Sequence, residues 1–347
     1  MPDSYVISVD VMGGDHGPDV TIPGIDAVLR RHPNMRVLLH GDEARIAPLL
    51  KDYPRLSRRG EIRHAEVAVR MDDKPSQALR KGRRVSSMWK ALESVRDGKA
   101  AVMVSAGNTG ALMAMSMFVL KTMPGIKRPA LAAQWPTLNG RSIVLDVGAS
   151  IGADAEQLVD YAIMGEAMAR SLFHMDKPSV GLLNVGVEEI KGVEEVREAG
   201  RMLRESRLPV RYVGFVEGTD IATGEVDVIV TEGFAGNIAL KTAEGTARLV
   251  SQYLKARIQE SPLAMLGALL ARGAFARLKA KLDPSTNNGA VFLGLNGVVV
   301  KSHGGATAEG FANAIEIAVD MAKSNLVEKI AADLAAKQHL LEAASKA

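Results

Sequence analysis

VDVIVTEGFAGNIALKTAEG, Val226 to Gly245, contains the repeating unit of the chain in twenty residues. It opens as an apolar, β-branched run interrupted only by Asp227, passes through Gly233 and Gly236, and continues with the spacing of a helix. A run without polar alternation fits a strand buried on both faces of a mainly parallel sheet. Similar runs occupy 5–11, 36–41, 100–106, 142–148, 179–186, 210–218, 226–233 and 297–304. Helix-period segments lie between them at 77–96, 109–122, 154–174, 193–206, 237–258 and 307–323. This alternation predicts an α/β fold, layered α/β/α around a mainly parallel sheet. One domain is expected over 1–325, with a protruding helical segment at 253–282 and a helical tail at 326–347.

Six glycine-rich turns follow the apolar runs: DVMGGDHGP (10–18), SAGNTGA (105–111), LDVGAS (145–150), NVGVEEIKG (184–192), TEGFAGN (231–237) and KSHGGAT (301–307). Glycine lets backbone N–H groups crowd toward an anion, and a helix starting after the turn adds its positive end. The pattern therefore points to phosphate. Neither G-x-G-x-x-G nor G-x-x-x-x-G-K-[ST] occurs at these turns, so the phosphate need not belong to a dinucleotide or a nucleoside triphosphate. Ligands of open parallel sheets sit at the carboxyl ends of strands, so convergence of these turns would form one site.

Composition narrows the function classes. Aromatics are only 4% of 347 residues, and no segment interleaves them with basic residues, which argues against a nucleic-acid partner. The net charge of +3 is mild, but basic residues cluster at 55–63, 74–90 and 272–281. Clusters of this kind dock acidic partners or anionic membrane surfaces when they are not simply solvated. With no cysteine, a thiolate nucleophile and a Cys-ligated metal are excluded. No basic n-region or long apolar h-region precedes the first strand-like run, and no apolar stretch nears the ~20 residues of a membrane span. A cytoplasmic location is the expectation.

Several residues at the turns carry chemical potential. Asn237 is expected at the N-cap or first position of its helix, with free N–H groups beside it for a phosphate or oxyanion. Asn108 and Thr109 repeat this device. The methionines that follow them, Met113, Met115 and Met117, suit core or acyl-chain packing. Asp10, Gly13, Gly14, Asp15 and His16 can orient a substrate or brace the turn. Lys191, beside Glu188 and Glu189, is the leading functional cation. G-x-S-x-G is missing, so the attacking group is expected to belong to a substrate.

Taken in order, DVMGGDHGP, MDDKPSQALRKG, SAGNTGALMA, KRPALA, LDVGA, GLLNVGVEEIKG, GFVEGTDI, DVIVTEGFAGNIALKTAEG and NGAVFLGLNGVVVKSHG resemble the bacterial phosphate acyltransferases of phospholipid synthesis, from about Ser8 to Lys323. The resemblance implies transfer of a fatty acyl group from acyl carrier protein to inorganic phosphate, giving acyl phosphate; no cofactor is expected and no residue is assigned as a metal ligand. A phosphotransacetylase using acyl-CoA is the alternative. Lys191 would position phosphate and stabilise charge, and Asn237 would donate to phosphate or oxyanion. Asp10, Gly13, Gly14, His16, Asn108, Thr109, Gly233 and Gly236 would complete the site. Lys74, Arg80, Lys81, Arg83 and Arg84 would dock the acidic carrier protein. The resemblance further implies a fold similar to phosphotransacetylases and the isocitrate dehydrogenase-like group, a homodimer, and a downstream glycerol-3-phosphate acyltransferase. The helix at 154–174 is either dimer interface or core. In Ser261 to Leu282, the apolar Leu263, Met265, Leu266, Leu269 and Leu270 precede Arg272, Arg277, Lys279 and Lys281. That pairing suits peripheral attachment to the inner face of the cell membrane, with Gly273 breaking the helix. A dimer interface is the competing use of this segment.

Overall fold

The computed structural model describes residues 4–206, 208, 210–282 and 288–345. Among these residues eleven strands form one sheet: β1 (Tyr5–Asp10), β2 (Met35–Gly41), β3 (Gly60–His64), β4 (Val102–Ser105), β5 (Ala130–Thr137), β6 (Gly140–Leu145), β7 (Ser179–Leu183), β8 (Arg211–Val216), β9 (Val228–Val230), β10 (Ala290–Leu293) and β11 (Val298–Lys301). Their spatial order is β3-β2-β1-β4-β11-β10-β5-β6-β9-β7-β8. Seven pairings are parallel; the three antiparallel ones, β11·β10, β10·β5 and β5·β6, are consecutive at the middle. The sheet is therefore two parallel halves running in opposite directions, joined through β10 and β5.

That reversal changes what strand ends mean here. Turns at the carboxyl ends of β1, β4 and β11 point one way, and those after β6, β9 and β7 point the other. They still approach one another, because the halves are staggered. Lys301, last in β11, pairs with Ala290; the next residue, Val291, pairs with Ala132; and Ala133 pairs with Val144 near the end of β6. Both sets of carboxyl ends thus stop near the same level, across β10 and β5.

Helices cover both faces, as the apolar runs require. Ile7, Val9, Val102, Val104, Val298 and Val300 are buried on one face with Ile22, Ile25, Phe311 and Ile315, while Met103 and Val299 pack with Leu92, Leu112 and Met115 on the other. Each such side chain contributes ~1.5–3 kcal/mol on burial. The helix Ala155–Phe173 begins with a capping box, Asp154 accepting from the Gln157 N–H and the Gln157 side chain accepting from the Asp154 N–H. Its Leu158, Tyr161, Met164 and Met168 are all buried within this chain, which makes that face core. The helix Leu326–Ser345 docks against it, burying Leu326, Ile330 and Leu334 and pairing Lys337 with Asp160 at 2.6 Å.

Three expected helices differ in detail. The segment 77–96 is two helices, Pro75–Gly82 and Ser87–Arg96, with Arg84 at φ 63° between them. The helix expected from Asn237 begins a turn earlier and spans Gly233–Gln259. Beyond it, Pro262–Leu270 and Arg272–Leu282 are separate helices, and the break falls at Ala271, so Gly273 lies inside the second.

Candidate active site

Three turns assemble at the ends of β1, β4 and β11. Ser105 Oγ donates to Asp10 at 2.7 Å and accepts from the Gly107 N–H at 3.0 Å. The N–H of Asp15 donates to Gly304 O at 2.9 Å, and that of Ser302 to Ser105 O at 2.9 Å. Gly14 sits at φ +89° and faces Gly304 and Ala106 closely, so a side chain there would meet both strain and backbone. Burial raises the pKa of Asp10, against the hydrogen bond from the Ser105 hydroxyl and the charge of Lys301. Asn108 caps the helix Thr109–Val119 as expected, accepting from the Ala111 N–H at 2.9 Å, and its amide donates to Met71 O and Asp73 O. His16 is exposed.

Two turns assemble at the ends of β6 and β9. The fully buried Asp146 accepts from the N–H groups of Leu131, Gly148, Ala149 and Ser150 and from Ser150 Oγ, all within 3.0 Å. The helix starting at Gly233 presses onto this loop: a Cβ on Gly236 would run into Asp146 O, and one on Gly233 into Ser150 O. Close approach is why these two positions are glycine. The helix start is not open to an anion as expected, because Glu232 is its N-cap and accepts from Phe234 N at 2.8 Å and Ala235 N at 2.6 Å. Asn237 lies inside the first turn, where its amide donates to Val147 O at 3.2 Å.

Between the two groups of turns lies a cleft of about 470 Å³, floored by β5 and roofed by the helix Gly233–Gln259. One end is polar, with Thr109, Asn237, Lys241, Glu244, Asn288, Lys301 and His303. The walls are apolar, with Leu131, Ala133, Trp135, Leu240, Ala243 and Ala247. Asn288 organises the polar end: its amide donates to Ser302 Oγ and Gly310 O, and its carbonyl accepts from the His303 N–H, each at 2.8 Å. Burial, and then repulsion by Lys241, lowers the Lys301 pKa to about 8 against the pull of Asp15 and Asp10. The same two causes, in the same order, lower that of His303.

The cleft brings together Asn237 and Thr109 from the sequence-predicted set. Asp10, Gly13, Gly14 and Asn108 stand behind it as bracing for the turns. Lys191 lies outside its lining, on the loop after β7, and pairs with Glu188 at 2.8 Å; that hydrogen bond raises its pKa. Lys301, Asn288, His303, Lys241 and Trp135 are cleft residues that sequence reasoning passed over. Lys301 left one signal, a charge closing the apolar run VVV just before a glycine turn. Lys74, Arg80, Lys81, Arg83 and Arg84 are all exposed, and Arg83 lies 4.7 Å from the centre of the half-exposed Phe118 ring.

The pattern that describes fatty acid synthesis proteins matches residues 5–329. The chain is 62% identical to the phosphate acyltransferases of Sinorhizobium fredii and Rhizobium meliloti, over 95% of this chain and 95% of each relative. It is 58% identical to that of Brucella canis over 96% of both. The chain belongs to the phosphate acyltransferase family. It is an acyltransferase enzyme, like the relatives so named. Among solved structures, it is similar to a phosphotransacetylase from Streptococcus pyogenes, with TM-score 0.62 and 17% identity over 93% of this chain and 95% of the other. The EutD phosphotransacetylase from Staphylococcus aureus gives 0.60 and 16% over 92% and 94%. These likenesses establish the shared fold expected for phosphate acyltransferases.

Proposed function

We propose that the enzyme transfers a fatty acyl group from the thioester of acyl carrier protein to inorganic phosphate, releasing acyl phosphate and the free carrier thiol. The observation that carries this reading is the cleft, whose hydrogen-bonding, cationic end is continuous with an apolar trough. A phosphate oxygen attacks the thioester carbonyl, the C–O bond forms, the C–S bond breaks, and the thiolate leaves to take a proton. The nucleophile comes from the substrate, so the protein's work is placement and charge stabilisation. Asn237 serves as a donor to phosphate or the tetrahedral oxyanion, with Thr109 beside it. Lys191 is assigned to phosphate positioning, a role in which phosphate would take the place that Glu188 holds beside its ammonium.

The partners follow from the surface. The exposed Lys74, Arg80, Lys81, Arg83 and Arg84 suit an acidic carrier protein. Leu263, Leu266, Leu269 and Leu270 are exposed at the far end of the long helix, and they suit peripheral contact with the inner face of the cell membrane. Among the described residues no helix is long and apolar enough to cross a membrane. A homodimer and a downstream glycerol-3-phosphate acyltransferase that consumes acyl phosphate complete the reading.

Purified enzyme incubated with phosphate and acyl carrier protein should yield acyl phosphate, trapped as hydroxamate. Faster initial rates with acyl-CoA would favour the phosphotransacetylase alternative, and no hydroxamate from either donor would overturn both. Asn237→Ala and Lys191→Ala should each lower turnover by about 10²-fold with unchanged melting. Normal turnover in either would remove that residue from the mechanism.

A further inference from the structure

Lys301 is the most buried cation of the cleft, at 8% exposure, and among the described residues it forms no ion pair. A buried ammonium is ordinarily matched by a carboxylate, because desolvation of an unpaired charge is costly. Among the described residues its Nζ donates to backbone carbonyls alone, Ser302 O and Ala106 O, the latter at 3.5 Å. An ammonium has three donors, so one remains for the cleft. Asp10 accepts from Ser105 through Oδ2, its buried Oδ1 has no hydrogen-bond partner among the described residues, and both Asp10 and Asp15 act on Lys301 through their charge.

The surroundings also favour an anion. Lys241 approaches from the roof helix, tied to Glu244 at 2.9 Å, and His303 follows on the same turn. Ser302 is held by Asn288 and by Ser105 O, so the strand end that carries the ammonium is fixed before any ligand arrives. Preorganised donors of this kind bind and stabilise charge without reorganising.

We propose that Lys301 is the cation that binds inorganic phosphate in the cleft and so touches the attacking nucleophile. This rests on the reading of the enzyme as a phosphate acyltransferase. It deepens that reading by placing the phosphate at the β11 end, between Lys301 and Asn237.

The test compares Lys301→Met and Lys301→Arg with the unaltered enzyme. Acyl phosphate formation is followed while phosphate and acyl carrier protein are varied separately, and direct binding of inorganic phosphate is measured by calorimetry. Lys301→Met should raise the KM and Kd for phosphate by roughly 30-fold or more, leaving the KM for carrier protein in place. The unaltered enzyme should lose phosphate affinity as the pH rises above about 8, where the ammonium is discharged. Lys301→Arg should lack that alkaline loss, because a guanidinium stays charged. A merely structural lysine would not move the pH profile in this way.

An unchanged phosphate KM in Lys301→Met overturns the proposal. So does a shift in the carrier KM alone, which would assign the ammonium to the phosphate of the carrier's pantetheine arm. If Lys301→Met fails to fold, the arginine comparison decides, and an alkaline loss identical to that of the unaltered enzyme sinks the idea. Lys301-dependent phosphate binding without acyl phosphate formation would leave this inference standing and defeat the proposed function instead.

Discussion

The helices Ala155–Phe173 and Gly233–Gln259 both follow a glycine turn and both carry many apolar residues, yet they are used in opposite ways. Thirteen of the 19 residues in the first are buried; in the second, only Gly233 and Gly236 of 27. The first is enclosed by the sheet and by the helices Glu194–Glu205, Ala308–Ser324 and Leu326–Ser345. Anchored at its first turn and over the cleft, the second leaves Ile238, Leu249, Val250, Tyr253 and Leu254 exposed. Leu263, Met265, Leu266, Leu269 and Leu270 continue that exposure through the next helix. An apolar surface of this extent marks a contact with something outside the chain, so the difference lies in what each helix is folded against.

The comparison breaks most readily at its buried side. Met164→Ala should cost about 2–5 kcal/mol, read as a lower denaturation midpoint, whereas Tyr253→Ala should stay within about 0.5 kcal/mol. Equal losses would mean that the long helix is packed as tightly as the short one. A sharper distinction comes from Leu266→Glu combined with Leu270→Glu. Sedimentation with anionic vesicles should be abolished, while melting, dimer size and activity in solution are retained. Dissociation into monomers with vesicle binding intact would instead make this surface a subunit interface.

The smallest effect should come from a stretch that contains both behaviours. Ser87–Arg96 buries Met88, Trp89, Ala91 and Leu92, while Arg83 and Arg84 just before it are exposed. Replacing both arginines by glutamate should raise the KM for acyl carrier protein and flatten its salt dependence, with phosphate unaffected. Movement of the phosphate KM alone would show that the docking surface lies elsewhere.

A mainly parallel sheet was legible in the sequence because apolar runs such as VISVDV and SIVLDV suit strands buried on both faces; its division into two opposed halves was not. The three strands that escaped notice have physical reasons for it. β3, GEIRH, is an edge strand with polar, exposed residues; β5, ALAAQWPT, contains glutamine and proline; β10, AVFL, is set directly between Gly289 and Gly294 and reads as part of the turn region before β11. β5 and β10 make the reversal, and periodicity reports burial, never direction. At the site, Asn108 was readable as a cap because its geometry is local. Glu232 took that role from Asn237 because the helix begins at Gly233, where the Glu232 carboxylate accepts from the Phe234 and Ala235 N–H groups. Lys301 stayed hidden because its burial and its place in the cleft beside Asn288 and Lys241 are set by the fold, between residues that are distant in sequence or of unremarkable type.

The place of β11 in the sheet has a consequence for how the protein is made. β11 lies between β4 and β10, so the first half-sheet cannot close until the chain has been synthesised past Lys301. Strands β6 to β9, by contrast, come from one continuous stretch of chain. Roughly 190 residues separate Ser105 from Val298, and at about 5–20 residues per second a ribosome needs about 10–40 s to add them. During that interval β4, VMVS, presents an unpaired apolar edge while the second half-sheet has all its strands at hand. The half formed from the earliest residues is therefore the last to be completed, and its open edge is the point at which a nascent chain is most exposed to mispairing.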